Sequence, residues 1–506
     1  MSNKASSSLF ELVKSLTKSE KRYFKVLSSK HVIGNENKYI QLFDFIDSME
    51  EYDEEIIMDH FKGEPFLNKF SITKARLYDH ILNSLEQFHA TNSVDAQLYK
   101  LLNSSEILQN KSLYGQTSKI LRSAEKLALK HNRYALLMDI SLRKKKLLES
   151  LNYSGTDNKE LEKLLQEDGR HLAKLKNYVM MWNLKSNLFF QINRKNRIDA
   201  SSDLKEIKTQ IDYLNEIGKE HLFFDSIYLK NHINSAYNFY IGEFQTSLDY
   251  LMENRSLFRS NTSKISQDPN LYISILVNAA FIAHKLKAKI IFQELLRELK
   301  SFSEIYKINV TEDNEIKMFT SITSLELSLL ISSGDFEKAQ IKLPEIEDKL
   351  QLFDEKINTV RKSFMYFQLA YAHFGNGNFK RSLYWVNQIL NMNGSESEEL
   401  MGYTNLFNLI LHYELQNDRL LPYTLKAVER FYDRKKEDRS FEKLFLDYFK
   451  QIIKKDKEIN RKELFYDLYE DMQKSKSEND IPLEYFRFDY WVEAKAKNKN
   501  FASFFR

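Results

Sequence analysis

Apolar residues recur at three- and four-residue steps along almost the whole chain, the spacing of one face of an α-helix. Leu9, Leu12, Val13 and Leu16 make a first short face, and Phe66, Phe70, Leu77, Ile81, Leu85 and Phe88 a long one. Between them, Thr17-Lys18-Ser19-Glu20 has the form of a capping box, so a helix is predicted from Lys18, carrying Tyr23, Phe24 and Leu27 and ending near Gly34. Helices are expected around Tyr39–Met49 and Glu54–Phe61, with a turn at Gly63 and Pro65. Residues 1–92 thus read as an N-terminal helical module.

From residue 93 the pattern becomes a repeated pair of amphipathic helices and a short polar break. The breaks fall near Gly115, Gly155, Arg197, Gly242, Lys287, Gly334, Gly377, Asn417 and Glu458, at intervals of 40 to 47 residues. A near-constant period of this size predicts a solenoid of helix hairpins over 93–478. Residues 479–506 follow a turn at Asn479–Pro482 and carry Tyr485, Phe488, Trp491, Val492, Phe501, Phe504 and Phe505. A last hairpin has no neighbour to cover its apolar side, so these aromatics are expected to cap the array. The alternative is a partner-binding or dimerisation surface, making a homo-oligomer possible.

Composition narrows the fold class. The 506 residues hold only 12 glycines and 5 prolines, about 3% where average usage gives about 12%. Sandwiches, barrels and doubly wound sheets need far more turn residues, so the expected class is all-α. A net charge of +4 is too small at this length to drive general affinity for nucleic acid or anionic membrane. With no cysteine, thiolate metal sites, disulfides and cysteine nucleophiles are excluded. The segment Met1–Ser8 is polar and no run approaches 18 apolar residues, so a cytoplasmic location without membrane insertion is expected.

Gly334-Asp335-Phe336-Glu337-Lys338-Ala339 and Gly377-Asn378-Phe379-Lys380-Arg381-Ser382 resemble the turn of tetratricopeptide repeats, with glycine leaving the first helix, an aromatic two residues on and a small residue three further. Gly242-Glu243-Phe244 with Ser247 is a third, weaker copy, and Leu369-Ala370 occupies the place of that family's Leu-Gly pair. The period exceeds the usual 34 residues, and the family's tryptophan and closing proline are missing from their places. The resemblance covers about 110–475. It implies a right-handed α-solenoid that binds a peptide or protein segment in its concave groove, and it implies no reaction.

Motifs for chemistry are missing. The only Gly-Lys, Gly218-Lys219, is followed by Glu220 and makes no P-loop. Gly375-Asn376-Gly377 lies at a hairpin turn with no preceding strand, unlike a dinucleotide fingerprint. The eleven histidines form no His-Glu-x-x-His and no i, i+4 pair, and there is no Gly-x-Ser-x-Gly elbow. No enzyme activity, cofactor or metal is expected.

Two polar constellations remain. On a helix around 228–241, Leu229, Ile233, Tyr237 and Tyr240 form the apolar stripe, and Asn231, Asn234 and Asn238 lie opposite. Asn183 with Asn187, Ser274 with Asn278, and Asn405 with Asn408 and His412 make similar stripes on other first helices. The last two helices are otherwise almost wholly apolar and hence packed on several sides, so a polar strip there should face a groove. Carboxamides present donors and an acceptor that match a peptide backbone, making these ten residues candidate peptide contacts, against the alternative of hydrated faces. The register of Gly242-x-Phe244 conflicts with this at one point, because it places Asn234 in the hairpin core. The second constellation is basic: Lys119, Arg122, Lys126 and Lys130 form one cationic stripe, and Arg143, Lys144, Lys145 and Lys146 add four charges. It suits an acidic partner or a nucleic-acid backbone, or is a solvated face. A competing reading takes Glu54–Phe61 and the helix from Phe66 as a helix-turn-helix that presents Lys69, Thr73, Arg76 and His80 to DNA, with the solenoid as sensor or dimeriser. Twelve basic against fourteen acidic side chains over residues 1–90 lack the cationic footprint of that function.

Overall fold

Thr17 and Glu20 cap each other as the sequence predicts. The Thr17 N–H donates to the Glu20 carboxylate at 2.8 Å, and the Glu20 N–H donates to Thr17 Oγ1 at 3.3 Å, so the helix starts at Lys18. A computed structural model describes residues 7–29, 38–89, 93–194, 203–218, 221–308, 310–392, 398–433, 440–453, 460–475 and 485–505. The positions expected to break or turn at Gly34, Arg197, Glu458 and 479–482 lie outside the described residues. Among the described residues there are twenty-five α-helices, a few short 3-10 turns and no strand; none of these helices is long and apolar enough to cross a membrane.

The chain divides into two compact units, Met1–Val179 with Gly218–Phe223, and Met180–Ile217 with Phe224–Arg506. The expected boundaries at 92/93 and 478/479 do not coincide with this division. In the first unit, α1 (Ser8–Ser15), α2 (Lys18–Ser29), α3 (Lys38–Ser48), α4 (Glu54–His60) and α5 (Phe70–His89) enclose Val13, Phe24, Leu42, Phe43, Ile57, Leu77 and Ile81. A second core, with Leu98, Leu121, Ala124, Ile140 and Phe223, lies under α6 (Val94–Asn110), α7 (Tyr114–Lys130) and α8 (Tyr134–Ser150). The long α9 (Asn158–Arg194) contains the point of division.

The second unit continues with α10 (Asp203–Glu216), then pairs of helices. These are α11 (Phe224–Tyr240) with α12 (Phe244–Arg259), and, after the short α13 (Thr262–Gln267), α14 (Pro269–Lys285) with α15 (Lys289–Lys300). After the short α16 (Phe302–Tyr306) come α17 (Glu312–Ser332) with α18 (Phe336–Leu352), α19 (Thr359–Gly375) with α20 (Phe379–Leu390), and α21 (Glu398–Glu414) with α22 (Leu421–Asp433). The unit closes with α23 (Ser440–Ile452), α24 (Arg461–Ser475) and α25 (Phe488–Lys497). Members of a pair pack together, and α12 on α14, α14 on α17, α17 on α19 and α20 on α21 join successive pairs.

One backbone device closes the pairs. At Gly242, Gly334 and Gly377 the backbone is left-handed, and the next N–H reaches back to the carbonyl five residues earlier: Glu243 to Asn238, Asp335 to Leu330, Asn378 to His373, at 2.8–2.9 Å. This is the Schellman closure of a helix C-terminus. The small residue of the turn motif then meets the first helix. Ser247 Oγ donates to the Ser235 carbonyl and Ser382 Oγ to the Ala370 carbonyl, both twelve residues back. Ser112, Lys287 and Gln416 make the same closure with positive φ and no glycine, at a cost of about 1–2 kcal/mol each. The break expected at Gly115 therefore falls at Ser112, and Gly115 lies within α7.

The glycines of Gly375-Asn376-Gly377 have distinct tasks. A Cβ on Gly375 would overlap the Phe336 ring, while Gly377 supplies the left-handed turn. The C-terminal aromatics cover the last helices and also reach earlier pairs: α25 packs on α24, and Phe488 and Trp491 meet Phe445, Phe449 and Phe465 of α23 and α24. Phe486, Phe488, Trp491 and Val492 are buried, and the segment folds back over earlier pairs. Phe486 packs on Tyr371, Phe374 and Phe407, Phe505 lies against Gly334 and Phe336, and Trp491 Nε1 donates to Glu414 Oε1 at 2.6 Å.

Candidate protein-binding surfaces

The polar positions proposed for peptide binding do not form one continuous ladder. Asn234 is 2% exposed and forms a reciprocal carboxamide pair with Asn215 of α10, at 3.1 and 3.0 Å; it also donates to the Lys230 carbonyl. Asn234 is therefore a buried contact between α10 and α11 and does not face a groove. Asn231 is buried. Asn238 donates to the Asn234 carbonyl and Asn405 to the Met401 carbonyl, each within its own helix. Ser274 accepts from Lys317 Nζ at 2.6 Å, which ties α14 to α17. His412 pairs with Asn417 at 3.0 Å, at the turn after α21, and burial lowers its pKa. Asn278 is exposed; Asn408 is half-buried, and its Oδ1 is buried with no hydrogen-bond partner among the described residues.

Another lateral tie continues the series, without a sequence pattern to announce it: Gln368 of α19 donates to the Ser324 carbonyl and to Ser328 Oγ of α17, at 3.0 and 2.8 Å. Polar side chains thus tie neighbouring helices together at three places, Asn215 with Asn234, Lys317 with Ser274 and Gln368 with Ser328. Second helices do the same with charge. Arg255 of α12 grips Glu298 of α15 through Nε and Nη2, at 2.9 and 2.5 Å. Tyr272 and Tyr306 donate to the same carboxylate at 2.7 and 2.5 Å. Burial pushes the Glu298 carboxyl up, but hydrogen bonds from Tyr306, Tyr272 and Arg255 outweigh it and hold the group below its ordinary value. Glu347 of α18 is a second hub, bound by His373, Arg381 and Trp385. Burial raises its pKa and these three donors lower it more, to about 2.

Asn183 and Asn187 of α9 are placed differently. Together with Met180, Met181 and Leu184 they line one side of a cleft of about 640 Å³, and Thr209, Gln210, Tyr213 and Leu214 of α10 line the other. The floor is apolar, since Met181, Leu184 and Leu214 are buried. Neither Asn183 nor Asn187 makes a side-chain hydrogen bond among the described residues, and Tyr213 at the rim is 58% exposed. A different face of α9 packs on α11: His232 stacks on Phe189 and Tyr228, and Lys185 lies over Trp182 and Phe189. Burial, reinforced by the Lys185 charge, lowers the His232 pKa to about 4.

The basic constellation separates into two sets. Arg143 binds Asp139 and Glu106, Lys144 binds Glu125, and Lys145 binds Asp168. Lys119, Arg122, Lys126, Lys130 and Lys146 are exposed and make no ion pair among the described residues. In the N-terminal module, α5 starts at Phe70 and not at Phe66, so Lys69 falls in the preceding 3-10 turn. Thr73 Oγ1 donates to the Lys69 carbonyl at 3.2 Å, and the His80 ring stacks on Tyr39. Lys69 and Arg76 are exposed. Among the described residues no cluster of His, Asp and Glu has the arrangement of a metal site. No protein-family model, curated protein or solved structure matches this chain.

Proposed function

We propose that this chain is a non-catalytic interaction scaffold, a tetratricopeptide-like solenoid of helix hairpins that holds a segment of another protein in the α9–α10 cleft. The observation that carries the reading is the cleft itself: an apolar floor bordered by Asn183 and Asn187, whose carboxamides have no internal partner among the described residues. Apolar clefts between helices suit the anchors of an amphipathic segment, and unoccupied carboxamides suit its backbone groups whatever its side chains. The closed turns at Gly242, Gly334 and Gly377, and the packing of each pair on the next, support the solenoid part of the reading.

The test uses 16-residue peptides selected from a displayed random library against the full chain, with binding read by fluorescence anisotropy. Thr209→Trp fills the cleft from an exposed position and should abolish binding. Asn183→Ala with Asn187→Ala removes two backbone contacts and should weaken it about tenfold, at about 0.5–1.5 kcal/mol per hydrogen bond. Peptides unaffected by both variants, or no enrichment over scrambled controls, would refute the reading.

A further inference from the structure

The exposed face of α7 carries a charge pattern that the interior does not use. Lys119, Arg122, Lys126 and Lys130 follow at three, four and four residues, which places them in one row about 16 Å long at 1.5 Å per residue. All four are exposed and have no ion-pair partner among the described residues. The surrounding helices supply little countercharge. Residues 94–150 hold eleven basic and five acidic side chains, a net +6. Four of those five acids are already bound: Asp95 by Arg133, Glu106 and Asp139 by Arg143, and Glu125 by Lys144. The row is therefore an uncompensated cationic strip, and Leu129, 46% exposed, lies at its edge beside Arg122 and Lys126 by the 100° helical step.

We propose that this face docks an acidic segment of another polypeptide, with carboxylates at helical spacing set against the four cations and an apolar side chain set against Leu129. Charge complementarity selects a polyanion. Leu129 favours a polypeptide over a nucleic-acid backbone, because a phosphate chain gains nothing from an exposed leucine and the row has no aromatic on which a base could stack. This proposal is independent of the α9–α10 cleft: Asn183→Ala with Asn187→Ala should leave it untouched.

The experiment measures binding to the full chain by fluorescence anisotropy at 50 and 200 mM salt. Three probes are used: a 20-residue helical peptide with glutamates at i, i+3 and i+4 steps and a leucine beside them, the same peptide with glutamine for glutamate, and a 20-base-pair DNA duplex. The acidic peptide should bind, weakening severalfold at the higher salt as screening shortens the reach of the charges. Lys119→Glu, Arg122→Glu, Lys126→Glu and Lys130→Glu combined should reduce binding at least tenfold with unchanged helicity by circular dichroism. The corresponding glutamine variant should give an intermediate loss, and Leu129→Ala a two- to fourfold one. Equal binding of the glutamine peptide, or no loss in the charge-reversed variant, would overturn the proposal. Tighter binding of the duplex through the same four residues would overturn it in favour of nucleic acid.

Discussion

The inner helices of the second unit and the outer face of α7 use polar side chains in opposite ways. On α10, α11, α14, α17 and α19, Asn215 pairs with Asn234, Ser274 with Lys317, and Gln368 with Ser328, so hydrogen-bonding groups hold adjacent helices in register. On α7, four cations face outward with nothing internal to bind. A buried polar group unmatched by a partner costs about 1–3 kcal/mol, so such groups are fixed by their neighbours. An exposed cation costs nothing to leave unpaired and is available to something else. Burial separates polar groups that build this protein from those that can act for it.

That contrast gives a ranked set of expectations, each read by chemical denaturation with circular dichroism. The largest effect is expected at Arg255→Ala, which leaves Glu298 buried beside two tyrosines; the loss should be about 3–5 kcal/mol. A fall of less than 1 kcal/mol would mean that the carboxylate is not dependent on its guanidinium. Acid comes next. The folded His232 pKa of about 4 lies below the ordinary 6.5, so the folded state favours the neutral ring. Its contribution is fully present above pH 6.5 and disappears as pH falls through 4, an order of 3 kcal/mol. His232→Phe should flatten that part of the stability profile, and an unchanged slope between pH 6.5 and 4 would contradict the assignment. Asn234→Ala should cost about 0.5–1.5 kcal/mol for each hydrogen bond it loses to Asn215, whose exposed carboxamide turns to water instead, whereas a position facing a hydrated groove would show almost no change. Lys126→Ala should shift stability by less than about 0.5 kcal/mol; a larger loss would place that lysine among the structural groups.

The fold was legible because its instructions are local. Helical spacing, the Thr17–Glu20 cap and the Gly-x-Phe turns each act within a few residues, and the small residues Ala339, Ser382 and Ser247 sit at helix crossings as the turn motif implies. Turn positions were less legible where the left-handed residue is not glycine, as at Ser112, Lys287 and Gln416; only the last two lay close to a polar break in the sequence. The candidate site was legible by halves. Exposure of the α7 row follows from its own helix, since the apolar side fixes which side is wet. The fate of Asn234 depended on Asn215, nineteen residues away on another helix, and helical periodicity cannot report what the next helix presents. Asn183 and Asn187 follow from spacing alone, while the other wall of their cleft, contributed by Thr209, Gln210, Tyr213 and Leu214 of α10, has no sequence signal linking it to them. The fold-back of Phe505 on Gly334 likewise had none, because nothing local distinguishes that turn from the open one at Gly242.

The return of the C-terminal aromatics onto Phe336, Tyr371, Phe374 and Phe407 has a consequence for biosynthesis. A ribosome delivers those four rings long before it delivers the residues that shelter them, so during translation a greasy patch stays in contact with water and with whatever chaperone is nearby. Any chain released early, by a stop codon or a protease cut before Phe486, would keep that patch uncovered permanently, which marks a truncated product for aggregation or disposal.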